Sequence, residues 1–254
     1  MVGVWAAVYA FVFLTGACIG SFVNVLVYRI PRQLDFVKGR SFCPACSHSL
    51  GPLDMFPLLS WLFLGGKCRY CKAPISRRYP LVEAAAGFFG VACCLNFGFT
   101  LGAALAFFVC CALLTLSLID GDTQEIPDGL IIALGLLAVA SYFVWPETGL
   151  VPRLIGAVAV SLPMLLINLA VPTSFGGGDI KLMAVMGLML GWQRTLVAMF
   201  IGLVLGGGYG IFLLTLKKKG RKDHFAFGPF LSAGCVIALF FGWEMILWYM
   251  GMFL

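Results

Sequence analysis

The sequence predicts an all-α polytopic membrane protein of about eight transmembrane helices, interrupted by one small polar insert. Three observations predict it. The chain is 61% hydrophobic and only 11% charged over 254 residues, far too apolar for a soluble domain of this size. Long runs contain no Asp, Glu, Lys or Arg. Fourteen of the 17 Lys and Arg residues fall in two stretches, nine between Arg29 and Arg78 and five between Lys217 and Lys222. That clustering marks cytoplasmic loops by the positive-inside rule and is not a nucleic-acid footprint.

Residues 1–28 form the first charge-free run. The first basic residue, Arg29, follows the run instead of preceding it, which predicts an uncleaved anchor with its N-terminus outside. The run 84–119 is too long for one crossing, and Asn96, Gly98 and Thr100 place a tight turn that makes two. Runs 129–146, 154–178, 195–216 and 225–254 supply one crossing each, the last holding only Glu244, to which the sequence assigns no role. A shorter run, 182–193, lies between Lys181 and Arg194 and completes the count. The expected organisation is a first transmembrane helix over 1–30, a cytosolic domain over 31–80 and a transmembrane bundle over 81–254. The basic loop Lys217–Lys222 reads as a topology anchor beside anionic membrane lipid.

The insert carries Cys43-Pro-Ala-Cys46 and Cys68-Arg-Tyr-Cys71, two C-x-x-C pairs separated by 21 residues. Four thiolates at this kind of spacing suit a tetrahedral metal, zinc first and iron second. A domain this small has little core, and a metal supplies the missing folding free energy. Two disulfides are the competing reading, set against a reducing compartment. His48 reads as a surface residue. The other six cysteines lie in apolar runs and read as packing residues.

Two further segments carry acids at the ends of apolar runs. The first is Asp120-Gly-Asp122-Thr-Gln-Glu-Ile-Pro127-Asp128, in which Pro127 opens a helix and Asp128 suits a helix start. Asp120 suits a helix end poorly, because the dipole there disfavours a negative charge. The second is Gly176-Gly-Gly-Asp179-Ile-Lys181, whose glycines allow close backbone approach. From Asp179 to Trp192 a helix rises about 21 Å, short of the roughly 30 Å of bilayer hydrocarbon. Ionisable residues in such places are costly and mark function by default. The residues alone leave two readings open: a catalytic pair, or loop acids and helix caps. Intramembrane acids also mark ion paths, so a transporter or an assembly scaffold with a zinc domain is the alternative function class.

Taken together, these motifs resemble those of the bacterial prepilin peptidases, the type IV leader peptidases of the GxGD class of aspartic membrane proteases. The resemblance covers most of the chain. Gly20-Ser-Phe-Val-Asn24-Val-Leu-Val-Tyr-Arg29-Ile-Pro31 is similar to the family's opening motif, and the Cys pairs are followed by Ser-Arg77-Arg78-Tyr79-Pro80-Leu-Val-Glu83. The resemblance implies that Asp120 and Asp179 are the catalytic pair, with Asp122 as rival for the first role. It implies cleavage of the leader from type IV prepilins and pseudopilins at the cytoplasmic side of the bacterial inner membrane. The tetracysteine resembles that of bifunctional members, which also N-methylate the new amino terminus with S-adenosylmethionine, and Gly66 matches a glycine linked to methylation there. No nucleotide fingerprint for that cofactor is present. Where relatives often carry Arg-Gly-Lys before the third cysteine, this chain has Gly65-Gly66-Lys67. The implied mechanism is hydrolysis without a covalent intermediate, one carboxylate acting as base on a water while the other donates a proton, with a bell-shaped pH profile.

Overall fold

The computed structural model describes residues 2–172, 174–215 and 226–252. Among these the chain is helical apart from turns and two isolated β-bridges. It divides into two compact units, Met1–Cys111 and Ala112–Leu254.

The first unit begins with α1 (Val2–Arg29), followed by the insert with its short helix α2 (Leu59–Phe63) and then α3 (Arg78–Phe97). Helices α1 and α3 pack through small residues. A side chain at Gly16 would strike the carbonyl of Ala86 at 2.8 Å, and one at Gly20 would strike Ala86 Cβ at the same distance. Small residues are what let helices approach where lipid offers no hydrophobic drive. The opening motif supplies the polar ties. Asn24 donates its side-chain amide to the carbonyl of Tyr79 at 3.2 Å. The buried guanidinium of Arg29 donates to the carbonyls of Asp35, Lys38 and Arg40, holding the start of the insert against the end of α1. Glu83 in α3 reaches into the insert and accepts the N–H of Leu58 at 2.8 Å, whereas an edge acid beside Arg77 and Arg78 suggests only a local ion pair.

Gly98, at φ +68°, ends α3, and α4 (Leu101–Thr123) follows at once. The expected turn in the 36-residue run therefore forms at the glycine that alone tolerates this backbone without strain. The unit boundary falls within α4.

The second unit contains α5 (Asp128–Val144), α6 (Leu150–Ala159), α7 (Ser161–Ala170), α8 (Gly177–Leu190), α9 (Trp192–Thr215) and α10 (Gly228–Gly251). Helices α6 and α7 form one apolar stretch broken at Val160, because Pro163 has no N–H to give the carbonyl of Ala159. Short α8 is central to the unit, packing on α5, α6, α7, α9 and α10. Its C-terminal carbonyls are capped by Arg153, 2% exposed, which donates to Leu188 and Met189 and also to Ser141 and Trp145 at the end of α5. One buried cation thus terminates two helices where the dipoles favour it.

Helices stand at each of the eight expected positions, but only six stretches among the described residues have the length and composition to cross a membrane: α1, α3, α4, α6 with α7, α9 and α10. Helix α5, with 17 residues, and α8, with 14, are shorter than a full span. The basic loop Lys217–Lys222 lies outside the described residues. Glu244 is exposed on α10.

Candidate active site

The loop Asp120–Asp128 and the glycine run before α8 meet in the second unit. Asp120 sits in the last turn of α4, its carbonyl accepting the N–H of Gln124 at 2.8 Å. Gln124 leaves the helix at φ +56°, and Pro127 caps α5. The glycine run forms the first turn of a helix more than a free loop, with Gly176 as N-cap and Gly177 and Gly178 inside α8. Gly178 explains the approach of the two segments: a Cβ there would fall 2.6 Å from the Cβ of Ile126.

Asp120 and Asp179 line one cavity of about 390 Å³, together with Gln124, Glu125, Asp128 and Lys181. Both carboxylates are buried, Asp120 at 5% and Asp179 at 7% exposure. Asp122, the sequence rival, is exposed and does not line the cavity. Asp120 Oδ2 accepts the N–H of Gly228, at the start of α10, at 2.9 Å. Asp179 Oδ1 is buried with no hydrogen-bond partner among the described residues. A buried carboxylate oxygen left unpaired is expensive, and a water or a polar group of a ligand would satisfy it. Lys181 and Asp128 pair at the cavity edge at 2.6 Å, both well exposed, so the pair stabilises little.

Gly228 is the site residue that sequence reasoning did not single out. A Cβ there would meet Asp120 Oδ2 at 2.6 Å, so a side chain at this position would push the carboxylate from where it accepts this N–H. The available signal was Gly228-Pro229 opening the last apolar run, a helix start that aims free N–H groups at an anion.

In the first unit the four cysteines Cys43, Cys46, Cys68 and Cys71 converge, their sulfurs all within 4.8 Å of one another. The two C-x-x-C pairs form matching turns. Cys43 N–H donates to His48 and Ser47 N–H to Cys43; Cys68 N–H donates to Ala73 and Lys72 N–H to Cys68. A β-bridge closes each turn, Phe42 with Ser49 and Lys67 with Pro74, and Ser47 and Lys72 both take positive φ. All four thiols are free, against the disulfide reading. Sulfurs around a tetrahedral zinc lie about 3.8 Å apart for a Zn–S distance near 2.3 Å, and Cys43 and Cys71 stand 3.9 Å apart. The donor set therefore fits zinc. Backbone N–H groups of Cys71 and Tyr70 aimed at Cys68 bring its thiol down to about 7. The N–H of His48 favours the Cys46 thiolate, but burial and the Cys71 and Cys43 sulfurs outweigh it and hold that thiol at about 11. His48 is exposed and lies against Tyr70, with ring centroids 3.7 Å apart and the planes tilted by 35°. Gly66 takes φ +68° against the indole of Trp61, where a Cβ would come within 2.9 Å of the ring.

Residues 14–97 match the family model described as Bacterial Peptidase A24 N-terminal domain, and residues 107–211 match the Type IV leader peptidase family. The chain is 32% identical to a prepilin leader peptidase/N-methyltransferase of Aeromonas hydrophila, over 97% of this chain and 95% of that one. It is 33% identical to a protein of that name in Pseudomonas aeruginosa (90% and 89% covered) and 31% identical to one in Bacillus subtilis (94% and 97%). No solved structure matches. The chain belongs to the type IV leader peptidase family.

Proposed function

We propose that the protein is a membrane aspartic endopeptidase that removes the leader from type IV prepilins and pseudopilins and N-methylates the new amino terminus. The observation that carries the peptidase reading is the single cavity with two buried carboxylates, one of which has an unpaired oxygen. In this reading Asp120 and Asp179 share a proton: the ionised member takes a proton from a water while the other donates to the scissile carbonyl. The Gly228 N–H fixes the orientation of Asp120. The exposed pair Lys181–Asp128 lies at the entrance.

The topology proposed is eight crossings, with α5 and α8 as short ones, in the bacterial inner membrane. The nine basic residues from Arg29 to Arg78 support a cytoplasmic insert, and counting eight crossings along the sequence from there brings Asp120 and Asp179 to cytoplasmic ends of their apolar runs. Zinc is the metal proposed for Cys43, Cys46, Cys68 and Cys71, in a structural role, since four protein ligands leave no open position. S-adenosylmethionine, when bound, supplies the methyl group. A transporter or scaffold reading has no comparable support, because nothing in it calls for an unpaired carboxylate beside a second one.

The reading is tested with purified protein in detergent and a prepilin carrying its leader, followed by mass spectrometry of the product. The wild type is expected to release the leader and leave a mature chain heavier by one methyl group. Gly228→Val is expected to lower the cleavage rate about 100-fold, the cost of displacing a catalytic group by about an ångström. Full activity in that variant would mean that the Gly228 contact does not orient Asp120.

A further inference from the structure

A second cavity, of about 420 Å³, lies wholly within the first unit, walled by the end of α1, the insert and the start of α3. It reaches from Cys43 and Cys68 to Glu83 and is far larger than one metal ion requires. Its lining is mainly apolar and aromatic, with Tyr28, Phe42, Trp61 and Tyr79, and a few polar groups converge on it. That composition and size are those of a small-molecule site.

Its charges are unusual. Glu83 is 8% exposed, and its partners are neutral: the N–H of Leu58 and the hydroxyl of Ser21. The other acid on the wall, Asp54, is already paired with Arg69 at 2.5 Å. The buried cation on the wall, Arg29, spends its donors on three backbone carbonyls. Among the described residues Glu83 is therefore a buried carboxylate without a cation, a costly arrangement unless a ligand brings the positive charge. Aromatic faces beside a carboxylate are the usual setting for a cation whose charge is borne by alkylated sulfur or nitrogen.

We propose that this cavity binds S-adenosylmethionine, with the aromatic walls taking the adenine and Glu83 facing the cationic end. The dyad cavity offers neither feature, since acids, glycines, Gln124, Ile126 and Lys181 line it and no aromatic ring does. Gly66 seats Trp61, whose indole N–H is anchored on the carbonyl of Ile75 at 3.2 Å, so a side chain at Gly66 would push a wall of the cavity. This proposal rests on the methyl-transfer part of the reading above.

The test is equilibrium binding of S-adenosylmethionine and of its neutral thioether product, S-adenosylhomocysteine, to the purified full chain in detergent. Thermal unfolding of each variant serves as the fold control. The wild type is expected to bind both. Glu83→Gln, which keeps an acceptor for Leu58, is expected to weaken S-adenosylmethionine binding at least 10-fold and the thioether less, because only the former carries the sulfonium. Ser60→Phe, which fills the cavity from α2, is expected to abolish binding of both. If both variants fold and bind S-adenosylmethionine as the wild type does, the cavity assignment is overturned while methyl transfer stands. If the wild type binds no S-adenosylmethionine, methyl transfer itself fails, and the assignment with it.

Discussion

Asp120→Asn and Asp179→Asn are each expected to lower prepilin cleavage by at least about 1,000-fold, while Asp122→Asn stays within a few-fold of wild type. The magnitude follows from removing one half of an acid/base pair, since such groups contribute about 100- to 10,000-fold each and act as a unit. The asymmetry follows from position. Asp120 is buried on the cavity and held by Gly228, whereas Asp122, two residues on, is exposed and does not line it. The amides keep the shape of the carboxylates, so both variants are expected to unfold at or above the wild-type temperature; removing a buried charge relieves a desolvation cost. An active Asp120→Asn protein alongside an inactive Asp122→Asn protein would move the first catalytic role to Asp122.

The second large effect is expected at the metal site. Cys43→Ser or Cys68→Ser should cost the protein its metal and unfold the insert, because structural zinc supplies on the order of 10 kcal/mol or more of apparent folding free energy at neutral pH. The insert's own core is thin: Phe42, Met55, Phe56 and Phe63 are all exposed. Elemental analysis and limited proteolysis over residues 31–80 read the two consequences separately. Acidification should act in the same direction. The thiolates must be deprotonated to bind, and Cys68, lowered to about 7, gives up its thiolate as pH falls below that value when no metal is present. Retained metal in both serine variants would exclude the four-thiolate site.

Much of this architecture was legible in the residues because membrane segments announce themselves by the absence of charge. The turn at Gly98 and the helix start at Pro127 could be placed from single residues, since glycine and proline carry their own backbone constraints. The cysteine pairs were legible for a similar reason: C-x-x-C fixes two sulfurs on one turn, and only their convergence needed the fold. Asp120 is buried and Asp122 exposed, a difference that two acids in one loop do not show by residue type, so at the sequence level only the resemblance favoured Asp120. Gly228 was not legible, as its contact with Asp120 spans 108 residues and a lone glycine before proline has many explanations. Arg153 reads in the sequence as a charge at the edge of a span, yet it is almost fully buried, and its value lies in four backbone carbonyls that leave no trace in residue identity. Glu83 was misleading in the same way, because its acceptor role depends on where the insert folds back.

In the proposed mechanism two carboxylates in one cavity activate a water without a covalent intermediate. A single turnover of the wild-type protein on prepilin in ¹⁸O-labelled water, followed by mass spectrometry of both the released leader and the protein's own peptides, tests it most directly. The new carboxylate of the leader is expected to carry the label, and Asp120 and Asp179 to carry none. Label in either aspartate, or a prepilin that remains uncut, would contradict it.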